Sequence, residues 1–366
     1  MLLKNGTVLQ GKKFVTADLS FEDNITAVGT LPGSADFDAS GLYVLPGLVD
    51  IHTHGARGED FSDGDAEKLE TLSKFYAENG VTSYLGTTMT LKEPELTRAM
   101  HAIRDHRQPG AVCAGVHLEG PFLSYAKRGA QAAENLHKPD IDLLHRLQDA
   151  SGGMVKMVTV ACEEEGAMDF IEKAAQELTV SLGHSTADYD TAMEGFRRGA
   201  SHATHLFNGM PPLHHREPGI IGAAMDAGAS AELICDGLHI HPSAVRVAKA
   251  MFGEKLNLIS DSLRCAGMPD GDYTLGGQPI VVKNGKATLL DGTLAGSSIS
   301  LSEGVRRAVK FGFALEDAVY DASTAPARAV KLTDRGSLDA GKRADILVMD
   351  KDLNIRAVFI SGKRYL

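Results

Sequence analysis

The chain has 366 residues, 43% of them hydrophobic and 23% charged, with 39 glycines, a globular composition that argues against disorder or low complexity. A formal net charge of −11 argues against nucleic acid or an anionic membrane as partner, and it obliges any anionic substrate to find a local cation. No apolar run approaches the roughly 20 residues of a membrane span, and the N-terminus lacks a secretory layout. Cys113, Cys162, Cys235 and Cys265 are widely spaced, as expected of buried thiols in a reducing cytoplasm.

In chain order, residues 2–9, 13–17 and 25–29 read as short strands before a turn at Leu31-Pro32-Gly33. The far end reads likewise, with strands at 345–349 and 355–361 around the turn Asp350-Lys351-Asp352. Residues 1–45 together with 337–366 are therefore expected to form one small β domain, a sandwich built from both termini. The middle, 46–336, alternates. Apolar β-branched runs occur at 44–51, 81–87, 111–118, 154–160, 179–182, 200–204, 231–234 and 256–259. Amphipathic stretches at 65–79, 94–107, 141–150, 164–177, 188–198 and 243–252 separate most of them. Alternation of strand and helix implies a parallel sheet, and eight strands imply an α/β fold closed as a (β/α)8 TIM-type barrel, with its active site where the strands end.

Polar residues collect at those ends. His52-Thr53-His54 closes the first run, and residues two apart on a strand share a face, so two imidazoles are delivered side by side. Glu119 ends the third run, His184 the fifth, His205 the sixth and Asp261 the eighth. In a barrel these converge on one mouth, enough for one or two divalent ions and one acid/base group. Other residues read more plainly. His101, His106 and His145 lie on predicted helices and should face solvent, while His117 and His202 should support the site from behind. His214-His215 should be exposed beside Arg216. Glu163-Glu164-Glu165 reads as the acidic first turn of a helix. Gly292 to Ser298 is glycine-rich without the lysine of a phosphate loop.

With these residues assembled, the chain resembles the N-acetylglucosamine-6-phosphate deacetylases of the amidohydrolase superfamily. The matching pieces are the run from Pro46 to Gly55, His117-Leu118-Glu119-Gly120-Pro121-Phe122, Gly183-His184-Ser185, and the run from His205 to Met210. Further matches are Arg216-Glu217-Pro218-Gly219, Asp236-Gly237-Leu238-His239, Asp261, the run from Gly292 to Ser297, and the tail from Gly336 to Asp345.

The resemblance implies Glu119, His184 and His205 as ligands of a principal metal. His52 and His54 would serve a second ion that only some family members hold. Zinc is expected first, with iron, manganese or cobalt nearly as suitable. It implies Asp261 as general acid/base and His239 as a substrate contact. Asn208 and the backbone of Gly209 would meet the substrate phosphate, with Arg216 reaching the active site of a neighbouring subunit in a homodimer. Ala130, Leu294, Ala295 and Gly296 would line the sugar. Two positions depart from the family pattern: Gly209 stands where alanine is expected, and Gln131 where a histidine often polarises the amide. The implied reaction is metal-dependent deacetylation of N-acetyl-D-glucosamine 6-phosphate in amino-sugar catabolism. The galactosamine epimer is the nearest alternative, and a non-catalytic sugar-phosphate sensor the alternative from another class.

Overall fold

The computed structural model describes residues 1–366. Eight parallel strands lie in the order Leu48–Thr53, Val81–Thr88, Val112–Glu119, Val155–Val160, Thr179–Leu182, His202–Ala203, Ser230–Ile234 and Leu256–Ile259. Each crossover returns one strand further along, which curls a parallel sheet into a (β/α)8 barrel. The seam between the last and first strands has no regular ladder. It is joined by Asp261 N–H donating to the His52 carbonyl (2.9 Å) and Ser260 N–H donating to Asp50 Oδ1 (3.3 Å). Val49, Ile51, Leu85, Met157, Ile234 and Ile259 fill the interior, with Ala327 and Val330 packed against them. Val49 N–H donates to the Ala322 carbonyl (2.9 Å), so this packing closes the end where the strands begin and leaves the other end open.

The surrounding helices follow their apolar spacing. Ala66–Glu78 buries Leu69, Leu72, Phe75 and Tyr76 along one face. The Asp65 carboxylate accepts from Glu67 N–H (3.2 Å) at its start, and Gly80 follows its end with φ 76°. His106 corrects its expected exposure. It is buried, donating from Nδ1 to the Ile103 carbonyl (2.6 Å) and accepting at Nε2 from the Tyr84 hydroxyl (3.0 Å). Burial lowers its pKa. No helix is long and apolar enough to cross a membrane, and all four cysteines are free and buried.

Both termini enter a second, mostly antiparallel eight-stranded sheet, the small β-sandwich, with a core of its own. Phe21 from one terminus meets Phe359 from the other edge-on, ring centroids 5.3 Å apart. Full burial of such a ring stabilises by roughly 1.5–3 kcal/mol. The strand Tyr43–Pro46 joins the two ends, pairing parallel to Leu2–Gln10 and antiparallel to Ile346–Met349.

That strand corrects one expectation. The apolar run 44–51 is two strands in two different sheets, divided at Gly47, whose N–H donates to the Asp345 carbonyl (2.9 Å). The run 200–204 shortens to His202–Ala203, and the helix expected at 164–177 spans only Ala167–Ala174. Elements beyond those expected also occur: the buried helix Gly219–Asp226, the three-stranded sheet over Gly271–Leu275, Gln278–Lys283 and Lys286–Leu289, and the helices Leu301–Lys310, amphipathic with Leu301, Val305 and Ala308 buried, and Leu315–Asp321.

A Cβ at Gly47 would lie 2.2 Å from Thr82 Oγ1 and 2.8 Å from Thr82 Cβ, so the two sheets meet there without room for a side chain. Gly47→Ala should therefore cost about 1–3 kcal/mol in reversible unfolding, as overpacking does. Thr82→Ala in that background should recover part of the loss. Wild-type stability for Gly47→Ala would show that the junction is looser than described.

Candidate active site

Glu119, the last residue of the third barrel strand, is the centre of the mouth. Its Oε1 lies 2.9 Å from His205 Nε2, 3.1 Å from His184 Nε2 and 3.3 Å from His52 Nε2, while its Oε2 lies 3.2 Å from His54 Nε2. Asp261 faces this group from the seam, its Oδ1 3.3 Å from His54 Nε2 and 3.7 Å from His52 Nε2. The six residues expected to converge do so, and all are buried. Register between the first and second barrel strands slips between Asp50 and Thr53. Ile51 thus packs into the barrel interior while His52 and His54 both reach the mouth.

Three of the six, His184, His205 and Asp261, have positive φ (48°, 23° and 47°), a region non-glycine residues seldom occupy. Neighbouring backbone holds each: Ser124 N–H donates to the His184 carbonyl (2.9 Å), Leu206 N–H to Glu232 (2.8 Å) and Ser297 N–H to Asp261 (2.7 Å). Gly296 lets the last pairing happen, because a Cβ there would sit 2.5 Å from the Asp261 carbonyl and 2.9 Å from its Oδ1.

The hydrogen bonds behind the rings fix which nitrogen faces the centre. His184 Nδ1–H donates to the Lys127 carbonyl (2.7 Å) and His205 Nδ1–H to the Asn208 carbonyl (3.2 Å). A carbonyl can only accept, so both Nε2 lone pairs point at Glu119 and at each other, 3.0 Å apart. Two lone pairs and a carboxylate oxygen gathered this closely repel unless a cation lies between them. Tetrahedral nitrogen and oxygen ligands of zinc stand roughly 3.4 Å apart, so the donor set fits a divalent ion. His52 Nε2 is also buried with no hydrogen-bond partner, a further donor left for the same purpose. The local charge agrees. Burial opposes a proton on His54, yet the Asp261 and Glu119 hydrogen bonds prevail and lift its pKa to about 9. Burial also favours neutral Asp261, but the His54 hydrogen bond outweighs it and holds that carboxyl below its ordinary range.

A cavity of about 260 Å³ opens above Glu119, His184, His205 and Asp261. Ala130, Gln131, Asn208, Gly209, His239, Leu294, Ala295 and Gly296 line it, every expected binding residue except Arg216. Gln131 is committed to holding the centre: Thr90 N–H donates to its Oε1 (2.7 Å), and its Nε2–H donates to Glu119 Oε2 (2.6 Å). His239 donates from Nδ1 to Asp236 Oδ2 (2.7 Å) and from Nε2 to the Ala295 carbonyl (2.8 Å). Burial opposes a charge on that ring, but the Asp236 hydrogen bond prevails and raises its pKa. Arg216 is exposed on the loop before the helix Gly219–Asp226, its Nη1 2.7 Å from His215 Nε2, and it has no acidic partner. It borders a separate cavity of about 780 Å³ with Asp188, Tyr189 and His214.

His117 and His202 are buried behind the ligands, and His117 bonds the Ile51 carbonyl (3.2 Å) and Thr159 Oγ1 (2.8 Å). Glu163 corrects its reading as part of a helix: it precedes the helix Ala167–Ala174 and clamps the loop after His184, accepting from Ser185 Oγ (2.5 Å) and from Thr186. Sequence reading missed Glu232 entirely, a fully buried carboxylate against His52 and His205. Its one signal was an acid inside the apolar strand Ser230–Ile234. It also missed Met89, Leu275 and Thr293 in the cavity wall.

Known proteins are similar to this chain over most of its length. N-acetylglucosamine-6-phosphate deacetylase of Bacillus subtilis is 39% identical over 330 residues, covering 87% of this chain and 83% of its own. N-acetylgalactosamine-6-phosphate deacetylase of Escherichia coli O157:H7 is 34% identical, covering 97% of this chain and 98% of its own. A mutant N-acetyl-D-glucosamine-6-phosphate deacetylase of Mycobacterium smegmatis, solved with N-acetyl-D-glucosamine-6-phosphate, superposes with a TM-score of 0.95 at 34% identity, covering 100% of this chain and 98% of that one. The sequence matches the amidohydrolase family over residues 43–365, and the chain belongs to that family.

Proposed function

We propose that this chain hydrolyses the acetamide of N-acetyl-D-glucosamine 6-phosphate to D-glucosamine 6-phosphate and acetate, a step of amino-sugar catabolism. One observation carries the reading. The donor set of Glu119, His184 and His205 shares a single cavity with Asp261, in a chain whose full-length relatives are named as deacetylases of amino-sugar phosphates. The Escherichia coli O157:H7 relative supports the galactosamine epimer as the second reading, which differs at one sugar hydroxyl.

Glu119, His184 and His205 would hold a divalent ion, zinc first, and His52 with His54 a second. An ion bound there supplies Lewis acidity, polarising the amide carbonyl and making a water a stronger acid. The rest is the work of the chain. Asp261 accepts the proton of the attacking water as the carbon–oxygen bond forms, then returns it to the amine nitrogen as the carbon–nitrogen bond breaks. His239, anchored through Nδ1–H by Asp236, would turn its Nε2–H from the Ala295 carbonyl to the substrate. The free second N–H of Gln131 is a weaker candidate for the amide oxygen, since its first is committed to Glu119. Asn208 and the Gly209 backbone would bind the phosphate, with Arg216 of a partner subunit completing the pocket of a homodimer. A guanidinium on a proline-rich loop, unpaired with any carboxylate, suits a phosphate supplied from outside its own barrel.

Metal-loaded protein should release acetate from N-acetylglucosamine 6-phosphate faster than from the galactosamine epimer. Preference for the epimer would exchange the two readings, and release from neither would reject both. Glu119→Gln should lose bound metal and activity together, because that carboxylate touches all four imidazoles.

Asp261→Asn should keep its metal and lower kcat by about 10²–10⁴-fold, the range of a general acid/base. Near-normal turnover at any pH would remove Asp261 from the reaction.

Arg216→Ala should raise KM for the phosphorylated sugar far more than for free N-acetylglucosamine. Mixing it with Asp261→Asn should restore part of the activity, by assembling one intact pocket across the interface. A fully active monomer in sedimentation, or no rescue after proven subunit exchange, would contradict a shared site.

A further inference from the structure

Glu232 belongs to no role assigned so far, yet it touches both halves of the proposed metal centre. Its side chain is 0% exposed, on the seventh barrel strand. Oε2 accepts from His52 Nδ1–H (2.8 Å) and from the backbone N–H of His205 (3.0 Å). The backbone carbonyl of the same residue accepts from Leu206 N–H (2.8 Å). Oε1 lies 3.4 Å from His202 Nε2 and has no hydrogen-bond partner.

Each contact has a consequence for metal binding. A neutral imidazole carries one N–H, and the nitrogen that donates it cannot be a ligand. The Glu232 carboxylate can only accept, so it draws the His52 proton to Nδ1 and leaves the Nε2 lone pair facing Glu119 (3.3 Å). A carboxylate behind a ligating histidine also raises the basicity of the nitrogen in front. The bonds to His205 N–H and Leu206 N–H hold the backbone at the point where His205 takes φ 23°. Without them the strained turn that aims His205 Nε2 at Glu119 would lose its two restraints from the seventh strand.

We infer that Glu232 is a positioning residue that sets the His52 tautomer and pins the His205 turn, coupling the two ligand groups that meet at Glu119. It acts through His52 and His205 and touches neither substrate nor reacting atoms. The inference rests on reading His52 as a metal ligand, and its test does not use acetate release.

Glu232→Gln keeps the volume and an oxygen that can accept from both N–H groups, but removes the charge. Zinc affinity and stoichiometry are measured by competition with a chromophoric chelator for wild type, Glu232→Gln, His52→Asn and the double variant. Glu232→Gln should weaken zinc binding about 10–100-fold, the usual effect of losing a carboxylate behind a ligand. It should add little in the His52→Asn background, since the amide oxygen still accepts from His205 N–H and the lost charge acts on the His52 ring. A buried carboxylate with only a structural role would leave affinity unchanged in the folded protein. Weakening by His52→Asn but not by Glu232→Gln, or full additivity in the double variant, overturns the inference. No effect of His52→Asn overturns the ligand assignment beneath it. If Glu232→Gln does not reach wild-type circular dichroism, long-range ¹H–¹⁵N spectra of zinc-loaded wild type decide. The His52 proton must be on Nδ1, and a proton on Nε2 overturns the inference.

Discussion

The site depends on one carboxylate surrounded by four imidazoles. Glu119 brings Oε1 within 3.3 Å of three Nε2 atoms and Oε2 within 3.2 Å of a fourth. Three tethers fix how the carboxylate and rings face one another: Gln131 on Oε2, the Lys127 carbonyl behind His184 and the Asn208 carbonyl behind His205. Buried charge of this density is costly without compensation. A divalent cation between these donors would supply that compensation, and the buried His and Glu groups are placed to hold one.

The barrel makes that arrangement affordable in conformational terms. Residues at sparsely populated φ/ψ cost on the order of 1–3 kcal/mol each, and persist only where surrounding structure over-determines them. His184, His205 and Asp261 are such residues, and each sits just beyond a barrel strand whose neighbours bond its backbone. The seam concentrates the effect. Where the last strand meets the first, the joining bond runs from Asp261 to His52, between the proposed proton carrier and a proposed ligand. Closing the barrel and aligning the mouth are the same event there. The small β-sandwich contributes from a distance, through Tyr43–Pro46, which continues past Gly47 into the strand that carries His52.

Much of this was legible in the sequence, for physical reasons. The helix Ala66–Glu78 has a capping aspartate, an apolar stripe and a terminating glycine, all local signals. The eight apolar runs report burial on both faces of parallel strands, and the polar residues closing five of them mark the mouth. What failed depends on tertiary context. Residues 44–51 are apolar on both sides of Gly47, so nothing local says that the chain changes sheets. Gly219–Asp226 is buried nearly all round and shows no helical period. His106 looks like a surface helix residue until Tyr84 arrives from the neighbouring strand. Glu232 looks like one stray acid in a strand, because its partners are far away in sequence at His52 and His205. The hairpin sheet over 271–289, which brings Leu275 to the cavity and Gln278 to the Ala130 carbonyl (2.7 Å), follows the eighth strand, where the alternation had already ended.

The central claim is that Glu119, His184 and His205 hold one metal ion together. A crystal structure of the zinc-loaded protein, with anomalous data at the zinc edge, tests it most directly. The account predicts an ion about 2.0–2.2 Å from a Glu119 oxygen and from the Nε2 atoms of His184 and His205. An ion bound without Glu119, for instance between His214 and His215 on the exposed loop, would contradict it.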